Sequence, residues 1–89
     1  MTNFIGRSLT ANEIEQNVEL NMAFINLIVN DSANTVTVTF DEATTSLNVM
    51  VFKAGEKRTN IAVPFKKLHY KASADTSAFR IEGLATAPF

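Results

Sequence analysis

Apolar residues recur in two different rhythms along this chain. Between residues 10 and 29 they fall three and four positions apart: Ile14, Val18, Ile25 and Ile28 share a line with Asn21, and Leu20, Phe24 and Leu27 form a second stripe. That spacing is the mark of a helix. Thr10-Ala11-Asn12-Glu13 has the form of a capping box, and Leu9 and Ile14 stand at the two positions of a hydrophobic staple. Glu13 and Glu15 put negative charge where the dipole of a first turn favours it. Asn30, Asp31 and Ser32 supply a stop. The pattern predicts a helix over about 11–29.

From residue 35 the rhythm becomes two. Val36, Val38 and Phe40 alternate with threonines, and Leu47, Val49 and Val51 alternate with Asn48, Met50 and Phe52. Ala54 to Lys57 reads as a hairpin loop around Gly55. A third strand is predicted over 59–65, with Pro64 marking an end, a bulge or an edge. Shorter strands follow over 67–71 and 78–82. The expected fold class is α+β, one N-terminal helix and then an antiparallel meander of four to five short strands. Residues 1–9, broken by Gly6, read as an arm, 10–83 as a single α+β domain and 84–89 as an extended tail.

Composition narrows the function more than it names it. The chain has 89 residues, no Cys and one His, which excludes disulfides, thiolate metal sites and a multi-histidine site within one chain. A net charge of −1 gives no overall pull toward nucleic acid or anionic membranes. The charge is uneven, however: residues 1–42 hold six acids and one base, and residues 43–89 hold three acids and seven bases. Halves of opposite sign attract each other, within a chain or between chains. No apolar run reaches the ~20 residues of a membrane span, and no signal peptide is expected at the N-terminus. Asn30-Asp31-Ser32 matches a glycosylation acceptor, read here as coincidence.

Chemistry-bearing clusters are sparse. His69 stands among Lys66, Lys67 and Lys71, and Asp41-Glu42 is the one adjacent acid pair, placed at a turn. Neither has the nucleophile, base and orienting group that covalent catalysis requires. No Gly-rich phosphate loop occurs, since the three glycines are scattered. The expectation is a protein that is not an enzyme, with no catalytic residues, no metal, no cofactor and no small-molecule substrate. Lys66, Lys67 and Lys71 beside Tyr70 offer a candidate surface for single-stranded nucleic acid, although alternation carries Tyr70 to the core side with Leu68.

Assembly is the chemistry the pattern favours. Ile14, Val18, Asn21, Ile25 and Ile28 form a heptad-like seam with one polar position, and isoleucine at such positions favours three or more strands. Asn21 either meets its symmetry mates and sets register and copy number, or lies in solvent. Phe4, Ile5 and Phe89, in segments without period, and Met50 and Phe52, opposite the expected core face, are candidate partner contacts. The arm at Met1–Leu9, the capped helix with Asn21 in an Ile/Val seam, the Thr-rich meander and the Ala-Thr-Ala-Pro-Phe end together resemble small virion structural proteins of tailed bacteriophages, of the fibre, collar or decoration type. That resemblance implies arms and tails docked on neighbouring subunits and a helical bundle joining three copies. The expected function is a homo-oligomeric, trimeric virion component whose partners are copies of itself and other virion proteins. The alternatives are a soluble inhibitor or adaptor using the Met50/Phe52 face, located in the cytoplasm, and a single-strand nucleic-acid-binding module.

Overall fold

A computed structural model describes residues 4–44 and 48–85. Its strands are β1 (Phe4–Ala11), β2 (Gln16–Asn30), β3 (Val36–Phe40), β4 (Met50–Phe52), β5 (Lys57–Ile61), β6 (Phe65–Ala72) and β7 (Ser77–Ala85). They make one antiparallel sheet in the order β1-β7-β2-β6-β3-β4. β5 lies beside β2 in line with β6, and Ala62–Pro64 form the break between the two. The sheet is rolled, and just past β1 the Asn12 carbonyl accepts the Ala72 amide at 2.8 Å. Met22, Ile25, Ile28, Val36, Val38, Phe52, Leu68, Phe79 and Ile81 fill the inside of the roll.

The described residues contain no helix, so the α+β expectation is overturned: the fold is all-β. Nor is it a meander, because among these strands β3 and β4 are the sole consecutive pair that lie side by side. The reason lies in β2. Against β7, Met22 faces Ala85, Phe24 faces Leu84, Ile25 faces Gly83 and Leu27 faces Glu82. Ala23 and Asn26 are therefore extra residues, each a β-bulge. A third irregularity, between Glu19 and Met22 on the β6 side, holds Asn21 at a φ of 50°. A regular strand buries every second residue. With one insertion after Met22 and another after Ile25, β2 buries Met22, Ile25 and Ile28 at every third position, beside Leu20, Val29 and Asn30. Bulges thus reproduce the spacing of a helix.

The helix start signals are real but small. A cap contributes about 1 kcal/mol. Val18, Phe24, Ile25, Ile28 and Val29 are β-branched or aromatic, and Asn17, Asn21 and Asn26 are poor helix formers. As a strand, the same segment finds partners on both edges, β7 on one and β5 with β6 on the other. Thr10 lies in β1 opposite Ala78, and the Glu13 amide donates to Asp75 Oδ1 at 2.9 Å.

Other expectations meet the structure in detail. The alternation at Val36–Phe40 is β3, Gly55 turns at a φ of 74°, and Pro64 falls in the break. The face of β4 is reversed. Phe52 is opposite Val36 and Met50 opposite Val38, which turns both toward the core and leaves Val51 44% exposed. From Phe4 onward the expected arm is an integral strand, and Leu84 and Ala85 end β7 rather than begin a tail. Residues 1–3, 45–47 and 86–89, with Leu47 and Phe89, lie outside the described residues.

Gly83 shows how tightly the bulged strand fits. A Cβ there would stand 2.2 Å from the Phe24 carbonyl oxygen. The displaced backbone of β2 presses on β7, and only a residue without a side chain fits against it.

Candidate interaction surface

Along β7, Ser77, Phe79, Ile81 and Gly83 are buried and face the core. Its even-numbered residues lie on the outer face of the roll. The Ala78 carbonyl accepts the Asp31 amide at 3.0 Å, so the backbone groups of those even residues point toward β2. The odd ones point toward β1, where they meet Ile5, Arg7, Leu9 and Ala11. By the same alternation, the N–H and C=O groups of Phe4, Gly6, Ser8 and Thr10 face away from β7. No described strand pairs with that side of β1. The edge is eight residues long and carries one charge, Arg7.

The other edges differ. β4 has three residues. β5 presents Lys57 and Arg58, and the Arg58 guanidinium lies 5.6 Å from the centre of the Phe52 ring, capping the core. Short length and positive charge are the usual defences of a sheet edge. β1 has neither.

Beside this edge the outer face is apolar. Phe4 is opposite Leu84, and Leu84 is opposite Phe24, so three side chains form a row across β1, β7 and β2. Phe4 is 62% exposed, and Leu84 and Phe24 are half-buried.

Polar side chains form a second cluster on the outer face of β6. Glu15 Oε1 accepts the Thr44 amide at 2.6 Å and also the Thr44 hydroxyl, and Glu15 Oε2 lies 3.1 Å from His69 Nδ1. The two Thr44 bonds, with His69 behind them, hold the Glu15 carboxyl below its ordinary pKa. Nearby, a shallow cleft of about 380 Å³ is lined by Glu13, Thr35, Thr37, Lys71 and Ser73. This arrangement orients one imidazole and fastens the 41–44 turn to β6. Among the described residues no group of His, Asp and Glu could hold a metal ion.

The residues singled out from the sequence do not come together. Ile14 is 81% exposed on the turn before β2, Val18 sits half-buried opposite Leu68, and Ile25 and Ile28 are in the chain's own core. Asn21 donates to Glu19 at 3.1 Å from its bulge. The five therefore form no seam, because no helix aligns them. Ile5 packs on the core from β1, and Phe4 stands at the edge. Phe52 is 1% exposed and Met50 packs beside it. Lys66 and Lys67 are exposed, with backbone amides bound by Asp41 Oδ1 at 2.9 and 2.7 Å. Lys71 borders the cleft, while Tyr70 is buried edge-on to Phe79 and offers no ring for stacking.

Sequence reasoning missed Asn30. Its side chain is 1% exposed and ties together β2, the turn after it and the β4–β5 loop. That burial also removes it as a glycosylation acceptor in the folded chain. The Glu15–Thr44–His69 cluster was invisible too, because its members lie far apart along the chain.

No protein-family model, curated protein or solved structure matches this chain. No helix among the described residues is long and apolar enough to cross a membrane.

Proposed function

We propose that this chain is a non-enzymatic structural protein that assembles with copies of itself and with other proteins of a virus particle, of the tailed-phage kind its sequence resembles. The observation that carries this reading is the undefended edge of β1 beside the exposed ring of Phe4. A long unpaired edge is a template for another strand, and proteins that work as monomers cover, shorten or charge such edges. The polar groups support the same reading. Asp41 binds backbone amides, Glu15 holds Thr44 and His69, and Asp31 holds Arg80, so the acids nearest to catalytic patterns serve the fold. The copy number three came from a helical seam and is not carried into this proposal.

Sedimentation equilibrium tests it. The wild-type chain is expected to self-associate as concentration rises. A chain that stays monomeric to its solubility limit, and that a cell extract shows to be absent from virus particles, overturns the reading.

A further inference from the structure

We infer that two copies join through β1 laid antiparallel against β1, about a two-fold axis at Ser8. The inference rests on the assembly reading above and specifies its interface. β1 is the one described edge strand of this chain without short length or paired charges to defend it, so its complement in a second copy is β1 itself. A two-fold pair of that kind closes on itself.

Backbone direction and charge select the register. Phe4, Gly6, Ser8 and Thr10 carry the outward N–H and C=O groups, so even residues must meet even residues across the axis. Centring the pair on Arg7 would set that guanidinium directly against its own mate, in the closer type of cross-strand pair. Centring it on Gly6 would leave Leu9 and Thr10 opposite residues 3 and 2, outside β1. Centring it on Ser8 keeps the two Arg7 side chains apart and leaves only Phe4 opposite a residue outside β1, Asn12. Gly6 then faces Thr10 of the second copy, Ile5 faces Ala11, and Arg7 lies along Leu9. The small side chains of Gly6, Ser8 and Thr10 leave the outer face of the seam free of steric conflict, and the row at Phe4 continues the apolar surface on each side. Beyond Ala11 the edge is already closed by the bond from Ala72 to Asn12, which sets one end of the pairing.

The chain has no cysteine, so cross-linking tests this directly. Ser8→Cys places two sulfurs on the axis, with Cα atoms about 5.5 Å apart, inside disulfide range. Mild oxidation of this variant is expected to give a covalent dimer. Gly6→Cys or Thr10→Cys alone is expected to give little, because each faces the other residue, while the double variant cross-links again. Ser8→Pro removes an outward amide and keeps the ladder to β7. It is expected to retain the strand signature in circular dichroism and to lose roughly tenfold or more in self-association. If Ser8→Pro does not fold, the cysteine series decides. Cross-linking at Gly6 or Thr10 alone as strong as at Ser8 overturns the register and the inference. A wild type that associates no better than a folded Ser8→Pro variant overturns the interface and leaves the assembly reading standing. A monomeric wild type overturns the interface, and its absence from virus particles as well overturns the assembly reading.

Discussion

Replacing Asn30 by Ala should be among the most damaging single changes to this fold. The amide Nδ2 donates to the carbonyls of Asn34 at 2.6 Å, Phe52 at 3.0 Å and Lys53 at 3.2 Å. Oδ1 accepts the Ser32 amide at 2.9 Å and the Ser32 hydroxyl at 2.7 Å. Two hydrogens serve three carbonyls, so Nδ2 is worth about two full bonds, and Oδ1 makes two more. Each buried bond contributes about 1 kcal/mol net, and a buried group left unpaired costs about 1–3 kcal/mol. The Phe52 carbonyl is buried, whereas water can reach part of the Ser32 turn. The expected loss is about 3 kcal/mol, a large share of the ~5–15 kcal/mol that holds a domain together. Urea unfolding should show a lowered midpoint with an unchanged slope. Asn30→Asp is the sharper control. It keeps the shape but turns a carboxylate oxygen toward three carbonyls, so at neutral pH it should be at least as damaging as Ala. Protonation returns a donor, so its deficit relative to wild type should shrink as pH falls. An alanine variant within about 0.5 kcal/mol of wild type, the range of ordinary surface changes, would refute the hub.

Gly83→Ala should destabilise by about 3 kcal/mol or more, since its methyl would meet the Phe24 carbonyl at 2.2 Å; thermal melts of the two proteins check it. Ile25→Ala and Ile28→Ala should each cost about 2–5 kcal/mol, while Ile14→Ser, at an 81% exposed position, should stay within about 0.5 kcal/mol. Equal effects at the three sites would mean that the line they form in the sequence is a real stripe. Glu15 titrates below its ordinary value when folded, so its ionised form adds stability above that value, and the gain is lost as pH falls through the depressed pKa. Acid unfolding followed by circular dichroism should therefore show a smaller stability loss between neutral and acid pH for Glu15→Gln than for wild type; because the carboxyl is only partly buried, the difference should be modest.

β3 and β6 were readable because nothing interrupts their alternation, whereas the strand expected over 59–65 is cut at Ala62–Pro64 into the end of β5 and the start of β6, with Val63 exposed. Val36 to Phe40 stays in register with both β4 and β6, and period two survives. Residues 16–30 were unreadable for the opposite reason. Periodicity reports which residues are buried, and in β2 burial recurs every third position because bulges intervene at Ala23 and Asn26. The face of β4 failed because a three-residue strand carries too few positions to fix its phase. Charge asymmetry proved informative in a form the sequence left open. The acidic half and the basic half interleave in one sheet: Asp31 pairs with Arg80 at 2.6 Å, Glu19 lies opposite Lys67, and Asp41 binds the Lys66 and Lys67 amides. The edge of β1 could not be read at all, since an open edge is a property of topology.

The bulges that hide β2 also bear on why that edge exists. Each inserted residue sharpens the local twist of a strand. β2 carries two of its three bulges in the half that faces β7, and Gly83 lets the two backbones close in at that place. The sheet consequently rolls far enough to bring Asn12 to Ala72, yet β1 and β6 form no ladder. Full closure would have removed the edge, as barrels do. Partial closure satisfies the core while leaving Gly6, Ser8 and Thr10 with backbone groups that no described strand meets. Deleting Ala23 or Asn26 would leave Phe24, Ile25, Leu27 and Ile28 opposite the same residues of β7, with Ile25 and Ile28 still in the core, and would remove only the twist that the inserted residue supplies. Ala23 and Asn26 are themselves exposed, so the insertions set the twist of β2 without changing which side chains it buries.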